Sequence, residues 1–122
     1  MSLPTLLLIL VAVTMSAIAQ ILFKLGLMST SPAVPSPAAA SGLLTVLLTP
    51  GVLLGLTLYG LGTLVWLTAL GRVEVSQAYP FVGLGFVLTA IFGHFLFGDQ
   101  ISLMRATGIA LVIAGIIIIS RT

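Results

Sequence analysis

Residues 3–23 read LPTLLLILVAVTMSAIAQILF, a stretch without a single charge that is closed by Lys24. About 20 apolar residues in helical form cross roughly 30 Å of hydrocarbon. Backbone N–H and C=O groups find no water in lipid, and a lone segment satisfies them internally only as a helix. The run is therefore a membrane span, and the rest of the chain divides by the same criterion. Ser29 to Ser41, STSPAVPSPAAAS, holds three prolines and four serines and reads as a loop, the only long one. Gly42 to Leu48 is apolar but too short to cross, which predicts an interfacial turn of helix. Thr49-Pro50 opens the second span, proline being suited to a first helical turn, and the span stops at Gly71-Arg72. The third runs from Val75 to Phe97 and ends at Gly98-Asp99; the fourth runs from Leu103 to Ser120, bounded by Arg105 and Arg121. Apolar residues come in unbroken runs rather than alternating, which argues against a β-barrel. The expected fold is an all-α integral membrane domain over residues 1–122. Its four transmembrane helices fall at about 3–24, 50–70, 75–97 and 103–120, with a short interfacial helix before the second.

Composition agrees. The chain is 60% apolar and 5% charged, with mean hydropathy +1.37, whereas a soluble domain carries about 25% charged residues. Four basic and two acidic side chains cannot keep 122 residues dissolved, so a soluble enzyme and a disordered chain are both excluded. The basic residues lie singly, and a net charge of +2 without a patch gives nucleic acid no footing. Without cysteine there is no disulfide, thiolate chemistry or cysteine metal site. His94, the one histidine, has no carboxylate or cysteine neighbour in the sequence and makes no metal site. Near the membrane surface it reads as a hydrogen-bonding group, with titration near neutral pH as the alternative. Glu74 and Asp99 fall in connections on opposite sides of the membrane and cannot act as a catalytic pair. No nucleophile–base set or phosphate loop is present, so neither catalysis nor a cofactor is expected. Ser16-Ala17-Ile18-Ala19-Gln20 has the small-x-small pattern of a signal-peptidase site. No positive side chain precedes the apolar run, however, and the expectation is a retained span.

The side holding residue 1 is called side A. Arg72 and Arg121 then fall on side A, Lys24 and Arg105 on side B. The positive-inside rule is balanced at two against two, so the sequence states no orientation. Such a protein is suited to inserting both ways and pairing head to tail. Four helices enclose little space, so a transport path calls for a second subunit. Gly108 and Gly115 are seven apart and Ala110 and Ala114 four apart on the fourth span, small residues of the kind that let helices approach in lipid. The second span carries Gly51-x-x-x-Gly55 with Gly62 seven further on, a motif common in membrane helices.

Polar groups within hydrocarbon are costly and mark cavities or partner helices. Ser16, Gln20 and Lys24 recur every four residues and predict a stripe from mid-membrane to side B. The competing reading has Ser16 bonded to its own helix, Gln20 tying two helices together and Lys24 snorkelling to water. Tyr59, Thr63 and Trp66 share a face of the second span. Ser76, Gly83, Ala90 and His94 share one of the third, with Tyr79 close by. Pro80 removes a backbone donor, and Gly83 and Gly85 loosen the helix beyond it, which predicts a hinge.

Three stretches together carry a family resemblance: Val73–Pro80 (VEVSQAYP), Phe97–Ser102 (FGDQIS) and Arg105–Ile109 (RATGI), with Ala19-Gln20 and Lys24 on the first span. The chain resembles the four-span members of the drug/metabolite transporter superfamily. Within it, the nearest likeness is to the small subunits of the aminoarabinose-phosphoundecaprenol flippase, and next to the small multidrug resistance branch. The latter implies an antiparallel homodimer that exchanges protons for cationic drugs through a buried glutamate. Aligned on Lys24, this chain has Ser16 at that glutamate's place and no carboxylate in the first span. A permeant cation in a low-dielectric cavity needs a countercharge, so the departure weighs against that chemistry. Tyr59 and Tyr79 match pocket positions of the drug branch, and the Gly83–Gly85 pair lies one residue nearer Tyr79 than its pattern.

The expectation that results is a transporter or flippase of the bacterial inner membrane that moves a polyprenyl-phosphate-linked sugar or a similar amphiphile. It would work as a homodimer or with a sister subunit. Ser16, Gln20, Lys24, Tyr59, Trp66, Ser76 and Tyr79 would line the groove, and Lys24 or Arg72 would attract a phosphate. The rivals are an ion-coupled cation exporter that uses His94 or Glu74, and a non-transporting subunit of a membrane complex.

Overall fold

A computed structural model describes residues 2–28 and 40–122. Among them four helices are long and apolar enough to cross a bilayer, as their charge-free runs require. Helix α1 is Leu3–Met28, α2 Ala40–Leu47 and α3 Pro50–Leu70. The third span is divided into α4 (Val75–Ala78), a 3-10 turn (Tyr79–Phe81) and α5 (Val82–Phe97), and the fourth is α6, Leu103–Ser120.

Three boundaries differ from the sequence reading. Lys24 does not close α1, which continues to Met28, because lysine is a good helix former and Gly26 is held against α3. Helix α2 begins at Ala40, two residues before Gly42, because alanine extends a helix without penalty. The remainder of the proline-rich loop, 29–39, lies outside the described residues. The third span is interrupted where Pro80, lacking an N–H, allows the tighter 3-10 geometry. Pro50 does open α3, and Ser102 caps α6 by accepting from the Arg105 N–H at 3.1 Å. On side B, α5 ends at Gly98 in the left-handed conformation (φ 69°), from which the Asp99 N–H reaches the Gly93 carbonyl at 3.1 Å.

Helix α1 lies at the centre, paired along its length with α3 and also packed on α5. The seam is written in sevens: Thr5, Ala12, Ala19 and Gly26 are buried on α1, and Gly55, Gly62 and Ala69 on α3. A seven-residue repeat keeps such a seam in line on two helices wound gently left-handed about each other. Its residues are small because lipid offers helices no hydrophobic incentive to associate, so close backbone contact must hold them. At the side B end a Cβ on Gly26 would come within 2.7 Å of the Val52 nitrogen, and one on Gly51 within 2.8 Å of the Gly26 Cα. Toward side A the pair widens into a core of Ile9, Val13, Ala69, Ala78, Phe81 and Ile116. Helix α6 joins through Val112 and Ile116, whose methyls lie over Gly83. Its other faces, including Gly108, Ala110 and Ala114, are exposed, and neither Gly108 nor Gly115 has a described neighbour where a Cβ would point.

Candidate functional site

Where the α1–α3 seam passes the break in the third span, the helices leave a cavity of about 230 Å³. Its walls are Ala12, Val13 and Ser16 from α1, Tyr59, Gly62, Thr63 and Trp66 from α3, and Tyr79, Val82 and Gly85 from the third span. Ser16 lies near the middle of α1, which places the chamber at membrane depth. No charged side chain lines it. The space exists because Gly62 and Gly85 contribute none of their own volume; Gly85 faces the Val13 methyl and Gly62 the Met15 Cβ.

The polar groups of the chamber differ in one respect. Thr63 donates its hydroxyl to the Tyr59 carbonyl at 2.9 Å, as Thr14, Thr57, Thr68 and Thr107 do to carbonyls four residues back. Those hydroxyls are spent within their own helices. Ser16 makes no such bond. The Ser16 hydroxyl, the Tyr59 and Tyr79 phenols and the Trp66 N–H all lack a hydrogen-bond partner among the described residues. Tyr79 is 63% and Tyr59 45% exposed, so the rings border an opening in the chamber wall rather than a packed interior. A group that enters meets aromatic faces and donors left unused among the described residues.

A larger pocket, about 810 Å³, sits at side A between the ends of the helices. Arg72, Glu74, Ser76, Gln77, Ser2, Thr5 and Thr122 border it. Arg72 and Glu74 have no ion-pair partner among the described residues. Between mouth and chamber stand Ile9, Ala69 and Ala78, each fully buried. From Gly71, the cap of α3 at the mouth, back to Trp66 in the chamber is five residues, about 7.5 Å of helix rise.

The residues expected to form one groove are thus distributed. Ser16, Tyr59, Trp66 and Tyr79 meet in the chamber, whereas Ser76 and Arg72 lie at the mouth. Gln20 and Lys24 are exposed and border neither space. A four-residue step advances about 40° beyond a full turn, so two steps carry Lys24 about 80° from Ser16. The third-span face is likewise discontinuous, because the 3-10 turn changes the angular step between Ser76 and Gly83. Gly83 itself is covered by Val112. His94 sits in the side B turn with Nδ1 2.8 Å from the Asp99 carbonyl. A carbonyl only accepts, so Nδ1 is the donor and the ring helps cap α5. Asp99 folds over Gly93, and Arg105 donates to the Gln100 carbonyl at 2.7 Å, which ties down the same turn. Pro80 lies within the 3-10 turn, with Gly83 and Gly85 in the first turn of α5. The sequence reading missed Phe23, whose ring packs against Tyr59, although its place seven residues beyond Ser16 marks the same edge of the seam.

Comparison with known proteins gives this geometry a context. Residues 3–121 match the EamA-like transporter family. An uncharacterized protein, y4nH, of Sinorhizobium fredii is 39% identical over 107 residues, covering 87% of this chain and 86% of that one. The probable 4-amino-4-deoxy-L-arabinose-phosphoundecaprenol flippase subunit ArnE of Pseudomonas fluorescens is 47% identical over 62 residues, 51% of this chain and 54% of the subunit. Its Pseudomonas aeruginosa counterpart (strain UCBPP-PA14) is 38% identical over 84 residues, 69% and 73% of the two chains. No solved structure matches significantly. A multi-pass membrane architecture, the matched family and these relatives agree, and the chain belongs to the EamA-like transporter family of the drug/metabolite transporter superfamily, close to the flippase-subunit proteins.

Proposed function

We propose that the protein carries the polar head of a polyprenyl-phosphate-linked sugar, or of a similar amphiphile, across the bacterial inner membrane. The observation that carries this reading is the uncharged chamber at membrane depth, where Ser16, Tyr59, Trp66 and Tyr79 have no hydrogen-bond partner among the described residues. A sugar ring presents C–H faces to aromatic rings and hydroxyls to donors and acceptors. The hydrocarbon tail remains in lipid outside the chamber opening. The phosphate, bonded to the sugar, crosses with it, and Arg72 at the side A mouth offers it a planar fork of donors where it enters or leaves. Passage between chamber and mouth requires Ile9, Ala69 and Ala78 to part. The four-residue α4, detached from α5 by the 3-10 turn at Pro80, is the element suited to move, with Gly83 and Gly85 easing the start of α5. The Pseudomonas relatives, probable subunits of a 4-amino-4-deoxy-L-arabinose-phosphoundecaprenol flippase, support this substrate class. The chain works as a homodimer, parallel or antiparallel, or with a sister subunit, and the open stripe of Gly108, Ala110, Ala114 and Gly115 is the surface offered to that partner. A cation exporter is disfavoured, because the chamber holds no carboxylate and His94 is engaged at the side B turn.

The test is translocation in proteoliposomes that contain a polyprenyl-phosphate-linked sugar whose head is chemically accessible only from outside. The expected result is protein-dependent loss of protection, reduced to the protein-free rate by Ser16→Leu, which fills the chamber. A rate unchanged by Ser16→Leu overturns the assignment of the chamber.

A further inference from the structure

We infer that Phe23, which does not line the chamber, is the positioning residue for Tyr59 and so sets the side B wall of the chamber; what this does to a ligand rests on the headgroup reading above. Three observations converge. A Cβ on Gly55 would lie 2.6 Å from Phe23 Cδ1 and 2.7 Å from Cε1, so the ring occupies the notch that the missing side chain leaves in α3. The Ala19 carbonyl, 3.0 Å from the same point, forms the floor of that notch. Tyr59 stands one turn further along α3, with its ring centroid 6.5 Å from that of Phe23 and the planes tilted by 41°.

Tyr59 has no hydrogen bond to hold its phenol among the described residues, and nearly half its surface is open. A helical tyrosine has two accessible χ1 wells, and a ring parked beside it makes them unequal. Phe23 biases Tyr59 through an aromatic pair whose tilted geometry has its own attraction, while Gly55 fixes where Phe23 can lie. A ligand touching Tyr59 therefore depends on two residues it never meets.

The chain has two tyrosines, so labelling with 3-fluorotyrosine gives two ¹⁹F lines, assigned by Tyr79→Phe. In the full-length protein in nanodiscs, Phe23→Leu shifts or broadens the Tyr59 line and leaves the Tyr79 line in place, the latter reporting an intact fold. Gly55→Ala, which expels the ring from its notch, does the same, and the double variant does no more than either alone. Phe23→Tyr, whose own label adds a third line, restores the Tyr59 signal. Trp66 is the only tryptophan and faces the chamber, so its quenching by a short-chain polyprenyl-phosphate pentose reads binding. Phe23→Leu weakens that binding about three- to tenfold, the worth of one aromatic pair. A Tyr59 line that stays fixed in both Phe23→Leu and Gly55→Ala overturns the inference. A wild-type Trp66 that ignores the pentose while the Tyr59 line moves leaves the positioning role standing and defeats the headgroup reading instead.

Discussion

Ser16 and Thr63 place hydroxyls in the same chamber from facing helices, and their circumstances are opposite. Thr63 already gives its proton to the Tyr59 carbonyl, whereas Ser16 gives its proton to nothing described. Removal of the two hydroxyls therefore has unequal consequences. Ser16→Ala is expected to weaken sugar-probe quenching of Trp66 about two- to tenfold, the range of one lost hydrogen bond. Thr63→Val changes it less than about twofold, since its hydroxyl bonds within its own helix. Equal effects in a side-by-side titration would mean that hydroxyl bookkeeping does not govern the site. The distinction was not legible in the sequence, where both are small polar residues among apolar ones. Whether a serine bonds back to its helix is decided by rotamer and neighbours. His94 illustrates the reverse: the sequence marked it as a hydrogen-bonding group near the surface, and the side B turn explains why, because the carbonyl of Asp99 lies within its reach.

Helices α1 and α3 are joined by small residues at seven-residue steps, and the spacing makes a stability prediction. Gly26→Leu places a branched side chain where even a Cβ would lie 2.7 Å from the Val52 nitrogen. Overpacking of this kind costs about 1–3 kcal/mol, so a clear loss of melting temperature in detergent is expected. Gly108→Leu, on the open face of α6, leaves the melting temperature of the monomer unchanged. The four spans were legible because hydrophobic length acts locally; Pro80 was visible as a missing N–H, but the 3-10 turn that divides the third span there was not. The seam was only partly legible. Gly51, Gly55 and Gly62 were visible as a small-residue motif, but Thr5, Ala12 and Ala19 look like ordinary span residues until the facing helix is known. The same reason explains Gln20 and Lys24. A four-residue stripe reads as one face on paper, while the structure turns α1 by the needs of its seam, burying Ala19 and exposing its neighbour Gln20.

The molecule as a whole has a closed layer between mouth and chamber, and its natural lack of cysteine makes that layer easy to probe. Ile9→Cys with Ala78→Cys places two thiols in one packed cluster. Cross-linking them is expected to abolish translocation, with recovery on reduction, while Trp66 quenching from the chamber persists; transport that survives the cross-link means the head does not pass this way. Insertion is a second whole-molecule property. With Arg72 and Arg121 balancing Lys24 and Arg105, reporter fusions at either terminus are expected to signal on both sides of the membrane, and Arg121→Ala with Gln100→Lys to bias them to one. A single orientation in the unaltered chain would show that something other than charge decides. The unequal lengths of the helices carry one more consequence. Helix α1, at 26 residues, rises about 39 Å, while α6, at 18, rises about 27 Å, less than a typical hydrocarbon core. Lipids beside α6 must compress to meet it, at a modest cost per ångström of mismatch. The bilayer is thereby dimpled along one flank of the protein, and shorter-chain lipids, which relieve that compression, are the ones in which turnover should be fastest.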